Sequence, residues 1–329
     1  MKLLNKDEWE IHNEQTQDQH LLQAYEWGEL KSQFGWTPFR LLVQDQIVQI
    51  LFRHLPLGYS IAYIPKKNLD LKNDDLWNYI DQFCKTKKAI FLKIEPDKFL
   101  EEEAEVSKIS GFLIGKSIQP RRTIEVSLDG DEDIWLDRMK SKTRYNIRLA
   151  EKKGIKVKNS NDIETFHNLM METSQRDKFG VHSKSYYQEA FQLFQKKNNV
   201  ALLLAYYENI PLAGLMVFKN GKRSWYFYGA SNNLERNRMP TYLLQFEAMK
   251  WAKSLGCETY DLWGIPDFEV SELEGEFENR SDGLWGVYRF KRGFGGEIKR
   301  SYPALDRVYN FPLYKAFEIF QKFRGNIQQ

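Results

Sequence analysis

The spacing of apolar and polar residues changes period several times along this chain, and each change marks an element. Residues 19–34, "QHLLQAYEWGELKSQF", carry apolar side chains at helical spacing and predict a helix closed by Gly35. In "FRLLVQDQIVQILFRHLP" two apolar runs flank Gln44–Gln46, the pattern of a hairpin, and "YSIAYIP" is a further short strand. "NDDLWNYIDQFCKTKK" predicts a helix capped by Asn73 or Asp74, and "AIFLKIEP" a buried strand ended by Pro96. Residues 121–154 then predict a strand, an acidic cap and one long helix ending at Gly154. Asp131, Glu132 and Asp133 sit where the helix dipole favours anions.

The second half repeats this grammar. "NDIETFHNLMMETSQRD" and "SYYQEAFQLFQKKN" predict helices, and "VALLLAYYENIPLAGLMVFKNGKRSWYFYGAS" a three-strand meander turning at Glu208–Pro211 and Asn220–Gly221. A helix "TYLLQFEAMKWAKSLG", a strand "CETYDLWGI", and the segments "ENRSDGLWGVYRFKRGFGG" and "FPLYKAFEIFQKFRG" follow. Strands interleaved with helices imply an α/β (α+β) class, and 329 residues exceed what one core comfortably supports. With no Gly-, Ser- or Pro-rich linker, the economical reading is two similar, tightly apposed units with a binding site in the cleft between them.

Composition narrows the function by exclusion. A net charge of +3 is too small to identify a nucleic-acid binder by bulk charge, so only local clustering is informative. The aromatic share of 15% points to a large core and aromatic-lined clefts. Cys84 and Cys257 lie far apart and fit neither a disulfide framework nor a CxxC metal site, so they read as buried thiols in a reducing cytoplasm. The first thirty residues hold no apolar stretch of signal-peptide length, and no run of about 18 apolar residues occurs, so a cytoplasmic protein that at most touches a membrane surface is expected. His12, His20, His54, His167 and His182 lack metal-ligand spacing, and no metal is expected. Neither a GxSxG elbow nor a GxxxxGK[ST] loop is present, and "RGFGGE" follows an apparent helix instead of opening one.

One stretch departs from this even charge balance. From Lys140 to Lys158 eight basic side chains meet one acidic one, Glu151. Trp135, Leu136, Met139, Ile147 and Ala150 form one apolar stripe, and Lys140, Lys142, Arg144, Arg148, Lys152 and Lys153 cover the rest of the surface. A solvated helix face is the ordinary explanation. Opposite charges at i,i+4 are nearly absent, however, so the face repels itself, and it fits a polyanion such as RNA phosphate better than bare water.

These segments, "MKSKTRYNIRLAEKKGIKV", "YYENIPLAG", "YGASNNLERNRMPTYLLQFEAMKWAKSLGCETYDLWGI" and "GVYRFKRGFGG", together resemble the FemABX family of peptidoglycan interpeptide-bridge aminoacyltransferases. The likeness runs from "YEWGELKSQFGW" to the final helix with its motifs in order. It implies tandem acetyltransferase-like (GNAT-type) domains with an inter-domain substrate cleft. The first would span 1–137, completed by a returning helix at 305–329, and the second 138–304. It implies transfer of an amino acid from aminoacyl-tRNA to the stem-peptide amine of a peptidoglycan precursor, either UDP-MurNAc-pentapeptide or lipid II, with at most a transient contact with the inner membrane face. Longer members insert a coiled-coil arm in the second domain. This chain has no room for one after residue 154 and resembles the short, FemX-like members, for which a soluble UDP-linked acceptor is known.

The resemblance also implies roles for particular residues. The basic helix, Lys140 to Lys158, would face the tRNA backbone. Lys31 would bind phosphate of a nucleotide-linked acceptor, although lysines on amphipathic helices are usually just solvated. Asp70 is a further substrate-binding candidate, on a loop where the usual Gly-Pro is replaced by Lys67-Asn68 and where acids mostly cap turns. Arg236 and Arg238 lie just before a helix, where guanidinium forks and the helix N-terminus suit a pyrophosphate, and Tyr242 is either their substrate-binding partner or a core aromatic. Lys291 is the catalytic candidate, a lysine beside the reacting ester that stabilises developing negative charge or binds the tRNA terminal phosphate. Gly293, Gly295 and Gly296 would let backbone approach a ligand. Tyr260, assigned to substrate, Asp261 and Trp263 end a strand near the expected channel, where simple packing is the other explanation. An aminoacyl ester is already activated, so no cofactor is required. No general base stands out, and proton removal by the substrate or water is expected. Other readings remain: a GNAT-type acyl-CoA N-acyltransferase, for which no [QR]xxGx[GA] loop is found, tRNA-dependent transfer to another amine, and an RNA binder without catalysis.

Overall fold

The computed structural model describes residues 1–16, 19–101 and 109–323. The chain opens with β1 (Lys2–Leu3), α1 (Lys6–Gln15), α2 (Tyr25–Ser32), β2 (Thr37–Val43), β3 (Gln46–His54), β4 (Ser60–Ile64), α3 (Asp74–Thr86), β5 (Ala89–Ile94), β6 (Phe99–Leu100) and β7 (Leu113–Ile114). There follow β8 (Arg122–Ser127), α4 (Glu132–Arg138), α5 (Ser141–Lys152), β9 (Ile155–Ser160), α6 (Ile163–Asp177), α7 (Lys184–Gln195), β10 (Val200–Tyr207), β11 (Ile210–Asn220) and β12 (Arg223–Ser231). The last elements are α8 (Pro240–Ser254), β13 (Thr259–Asp261), α9 (Val270–Glu276), α10 (Trp285–Lys291), β14 (Glu297–Ser301), β15 (Leu305–Val308) and α11 (Phe311–Phe323). The returning helix expected over 305–329 begins only at Phe311 as α11, because Leu305–Val308 pair with β5 as the strand β15, and residues 324–329 lie outside the described residues. No helix among the described residues is long and apolar enough to cross a membrane.

The chain divides into two compact units, Met1–Arg121 with Arg300–Gln329, and Arg122–Lys299. The first crossing lies upstream of residue 137 because β8 pairs with β13 (Thr259↔Ser127), which puts β8 and α4 in the second unit. The expected mixed α/β class, in tandem units each built on its own sheet, is what the chain adopts.

In the first unit the strand order is β1-β2-β3-β4-β5-β15-β7, antiparallel except where β4 runs parallel to β5. The hairpin predicted around Gln44–Gln46 is β2–β3, with Val43 opposite Gln46. Helix α3 buries Leu76, Trp77, Ile80, Phe83 and Cys84, one face at helical spacing, and Asn73 is its cap, its side chain accepting from the Leu76 amide at 3.0 Å. On α11, Tyr314 and Phe317 pack on Phe91 of β5 at ring distances of 5.1 and 5.4 Å. The helix expected over 19–34 is a 3₁₀ turn, Leu21–Gln23, followed by α2. Ala24 is extended between them, and the His20 ring caps the turn by accepting from the Leu22 amide. Helix α1 was not foreseen. Its signal is a capping box, in which the Asn5 side chain accepts from the Glu8 amide and the Glu8 carboxylate from the Asn5 amide, each at 3.0 Å.

The second unit's sheet runs β14-β8-β13-β12-β11-β10-β9, and its parallel pair is β12 with β13. Its core joins Leu243, Leu244, Phe246 and Met249 of α8 to Trp135, Ile147 and Ala150. The long helix expected before Gly154 is broken in two. Met139 and Lys140 are extended, the Lys140 amide donates to the Gly293 carbonyl at 3.0 Å, and Arg144 closes the end of α4 by donating to the Leu136, Asp137 and Met139 carbonyls. The chain then passes through Gly154 directly into β9, and α6 and α7 lie on the sheet.

The glycines of "RGFGG" serve this joint. A Cβ on Gly295, whose φ is +79°, would lie 2.5 Å from the Arg138 carbonyl oxygen. One on Gly296 would lie 2.6 Å from that of Glu125. The close approach expected toward a ligand is therefore, in this structure, toward the unit's own backbone. Gly295→Ala combines a left-handed backbone with a backbone clash. It is expected to cost about 2 kcal/mol or more, read as a lowered urea midpoint at unchanged m-value.

Candidate active site

The second unit's site begins with strands that part. β12 and β13 pair over three residues, Arg223↔Thr259, Ser224↔Tyr260 and Trp225↔Asp261, and then β13 ends while β12 continues to Ser231. Just past the split, β12 carries a bulge. Val217 of β11 faces Tyr226 and Met216 faces Tyr228, leaving Phe227 as the extra residue, and its ring lies 4.5 Å from that of Trp263. Parting strands leave backbone groups without ladder partners, and each must be satisfied another way. The Leu262 amide reaches the Ile124 carbonyl at 2.9 Å, and the Trp263 amide donates to Asp261 Oδ1 at 2.7 Å. The Trp263 and Gly264 carbonyls accept from Lys291 Nζ at 3.1 and 2.8 Å.

Lys291 ends α10 and is only 5% exposed. Burial pushes its ammonium down to about 7, while the Asp261 carboxylate pulls in the opposite direction. Nζ stands 5.6 Å from the Tyr226 ring centre. Asp261 is 4% exposed, and burial raises its carboxyl to about 6. The Thr123 hydroxyl, which donates to Oδ1, and the Trp263 amide work against that rise. Glu125 adds to it and Arg223 opposes it. Two buried titratable groups of opposite type thus have their ordinary values shifted toward each other, which makes the pair a candidate for function.

The other predicted residues fall into distinct settings. Tyr260 is fully buried and donates to Gln245 Oε1 at 2.6 Å, in the core beneath α8. Tyr242 is half-buried at the start of α8, edge-on to Phe290 at 5.0 Å and stacked with Phe294 at 6.0 Å, so the structure does bring it to the segment that carries Lys291. Arg238 is held within the fold: its guanidinium lies 3.4 Å from the Tyr207 ring centre, bonds Glu235 at 2.6 Å and donates to the Lys153 carbonyl at 2.8 Å. Arg236 is exposed, with Nη1 3.5 Å from the Asn233 side chain. In the first unit, Lys31 Nζ sits 4.5 Å from the Trp27 ring centre on α2. Asp70 is exposed, and its carboxylate accepts from the Lys72 amide at 2.9 Å, capping the turn before α3.

The basic helix divides in the same way. Arg144 bonds backbone carbonyls, Lys153 donates to the Asn237 carbonyl at 2.9 Å, and Lys140 lies 3.5 Å from Glu274. Lys142, Arg148 and Lys152 are exposed. Among the described residues no three His, Cys, Asp or Glu side chains gather as a metal would require.

Sequence reasoning missed two features. Thr123 carried no motif, because its value lies in a bond to a residue 138 positions away. Lys67 is buried, and burial pushes its ammonium down to about 8 while Asp97 pulls it back. The visible signal was a lysine where the resemblance led to the expectation of glycine.

Comparison with known proteins adds independent findings. A model of the FemAB family matches residues 108–209 and 204–322. A lipid II:glycine glycyltransferase of Staphylococcus epidermidis is 26% identical over 91% of this chain and 90% of its own length, and one from Staphylococcus aureus is 25% identical with the same coverage. The first alignment spans 383 residues against the 329 of this chain, so that relative carries stretches lacking here. A crystal structure of FemX superposes with a TM-score of 0.81 at 23% identity, covering 97% of this chain and 100% of that one. A structure of L-PGS from Bacillus licheniformis gives 0.57 at 12% identity, covering 96% of each chain.

The buried amine generates a stability signature. Between about pH 7 and 10 an unfolded Lys291 holds a proton that the folded one has released, so unfolding takes up a proton and stability rises with pH. Relative to Lys291→Met, the native protein is expected to gain up to about 1.4 kcal/mol per pH unit over that window, measured by urea denaturation at pH 7 and 9. Parallel curves would show that the amine titrates as in solvent.

Proposed function

This chain belongs to the FemAB family, and on that premise we propose that it is an aminoacyltransferase moving an amino acid from aminoacyl-tRNA to the stem-peptide amine of a peptidoglycan precursor. The observation that carries the reading is the Lys291 amine, buried yet held by two carbonyls at the open end of β12 and β13. The names of the relatives support glycine as the amino acid and lipid II as the acceptor. The lack of their inserted stretches keeps UDP-MurNAc-pentapeptide as the acceptor to test beside it.

The reaction asks little of the protein beyond placement, because the ester donor is already activated. The difficulty is the acceptor. A lysine-type ε-amine is neutral in roughly one molecule in 2,500 at pH 7, a cost of about 4.6 kcal/mol. A desolvated, aromatic-lined pocket lowers that cost, and holding amine and ester together reduces the remaining barrier. Phe227, Trp263 and Tyr226 supply such walls around Lys291. Tyr242 and Arg236 are proposed as substrate contacts of the second unit, Lys31 and Asp70 as those of the first. Arg238 and Tyr260 act there through their bonds to Lys153 and Gln245. The tRNA backbone is assigned to the α5 face, with Lys142, Arg148 and Lys152 making phosphate contacts at its exposed side and Lys140, Arg144 and Lys153 holding its ends.

Purified protein given labelled glycyl-tRNA is expected to transfer glycine to lipid II or UDP-MurNAc-pentapeptide, and Lys291→Ala to lower kcat by roughly 10²–10⁴. No transfer from any aminoacyl-tRNA to either acceptor would overturn the reading. The triple variant Lys142→Ala, Arg148→Ala, Lys152→Ala is expected to flatten the dependence of log tRNA affinity on log salt by about 2. An unchanged slope would remove the helix from the tRNA site.

A further inference from the structure

We infer that Lys291 is the proton carrier of the transfer, taking the proton from the attacking amine and returning it to the leaving ribose oxygen, and that Asp261 and Thr123 position it for that task. This rests on the aminoacyl-transfer reading and departs from the expectation that substrate or water removes the proton.

The geometry at Nζ is the starting point. A lysine nitrogen has four tetrahedral positions, one taken by Cε. Two more point at the Trp263 and Gly264 carbonyls, at 3.1 and 2.8 Å. Carbonyl oxygens only accept, so those two positions must carry protons. The fourth position holds either a third proton or a lone pair. A neutral amine with two donors spent on carbonyls therefore aims its lone pair along the one direction left.

The carbonyl pair is itself fixed by Asp261. That carboxylate does not bond Lys291. Oδ1 accepts from the Thr123 hydroxyl on β8 and from the Trp263 amide, and Trp263 sits in the left-handed region at φ 60°. Holding the Trp263 amide holds the turn, and the turn presents the two carbonyls. Asp261 thus reaches the amine in two ways, through the backbone it pins and through its charge.

The groups facing the pair come from every neighbouring strand. Asp261 of β13 and the Tyr226 ring of β12 face Lys291. Around Asp261 stand Glu125 of β8, itself paired with Lys299 of β14, and Arg223 of β12. On the same segment as Lys291, the Arg292 guanidinium is bound to Glu274, which also takes the Tyr288 hydroxyl and lies near Lys140, so these charges answer one another. Burial keeps the Lys291 amine largely neutral above neutral pH, as a proton acceptor requires.

The step balances. The neutral acceptor amine attacks the ester carbonyl carbon and a C–N bond forms. The proton it sheds passes to the Lys291 lone pair. As the tetrahedral intermediate collapses, the C–O bond to the ribose breaks and Lys291 gives that proton to the departing oxygen. The products are an amide and a free hydroxyl, with Lys291 unchanged.

The test combines pH–rate profiles of the full chain with a readout that needs no turnover: competitive acetylation of Lys291 across pH, followed by mass spectrometry of its peptide. Lys291→Arg keeps a cation that cannot deprotonate and is expected to lose at least about 10²-fold in kcat. Asp261→Asn removes the charge that favours the protonated amine. Both the acid limb of kcat/KM and the acetylation midpoint are expected to move down by about one pH unit. Thr123→Val, which weakens the hold on the carboxylate, is expected to move both in the same direction by less. Transfer by Lys291→Arg within tenfold of the native rate, or an acid limb that ignores Asp261→Asn while the midpoint moves, would overturn the proton-carrier role and leave the transferase reading standing. A near-neutral acetylation midpoint without transfer from any aminoacyl-tRNA would overturn the transferase reading and this use of the amine with it.

Discussion

Two backbone carbonyls with no strand to pair with, those of Trp263 and Gly264, set the terms for the second unit's site. A parallel pair that parts after three residues exposes peptide groups in a place too buried for water to serve them freely. The chain answers with a side chain that brings donors, the amine of Lys291. Putting an ammonium there carries a desolvation penalty, and that penalty makes its proton labile. The structural need and the chemical capability therefore have one cause, and Asp261 moderates it without touching the amine.

The first unit meets the same geometry with the opposite charge. β4 and β5 run parallel as far as Ile64 and Ile94, and the next residue on β5, Glu95, is buried. Its carboxylate accepts the Ile118 and Gln119 amides at 2.6 and 3.0 Å and the Tyr63 hydroxyl. Here the groups to be satisfied are the N–H donors of Ile118 and Gln119, so an accepting carboxylate fits where the second unit uses a donating amine. Tyr63 is consequently driven well above the ordinary phenol range, by burial first and by Glu95 second. Each unit thus has one parallel strand pair with a buried charged group beside its end, of opposite sign in the two.

How much of this was legible in the sequence depended on the range of the interactions. Strands β2–β5 and β10–β12 and helices α3 and α8 announced themselves through local periodicity and turn residues, whereas Lys291 was singled out by resemblance alone. What escaped was made by distant partners. The break between α4 and α5 has no proline or glycine at Met139–Lys140. It exists because Gly293 supplies a carbonyl and Arg144 closes the exposed helix end. Arg236 and Arg238 read alike as phosphate ligands because both lie just before a helix, and what sets Arg238 apart, its contacts with the Tyr207 ring and the Lys153 carbonyl, comes from distant residues. Thr123 had no local signature, since a hydroxyl in a strand gains meaning only from the carboxylate opposite.

The joint at Lys140 and Gly293 also bears on how the basic helix is held. One backbone hydrogen bond ties the first residue of the basic helix to the turn two residues beyond Lys291, and Gly295 and Gly296 press that turn against the Arg138 and Glu125 carbonyls without side chains to cushion it. The basic helix and the segment that carries Lys291 are therefore joined through main chain. Because that link is main chain, exchanging surface side chains on the helix leaves it in place.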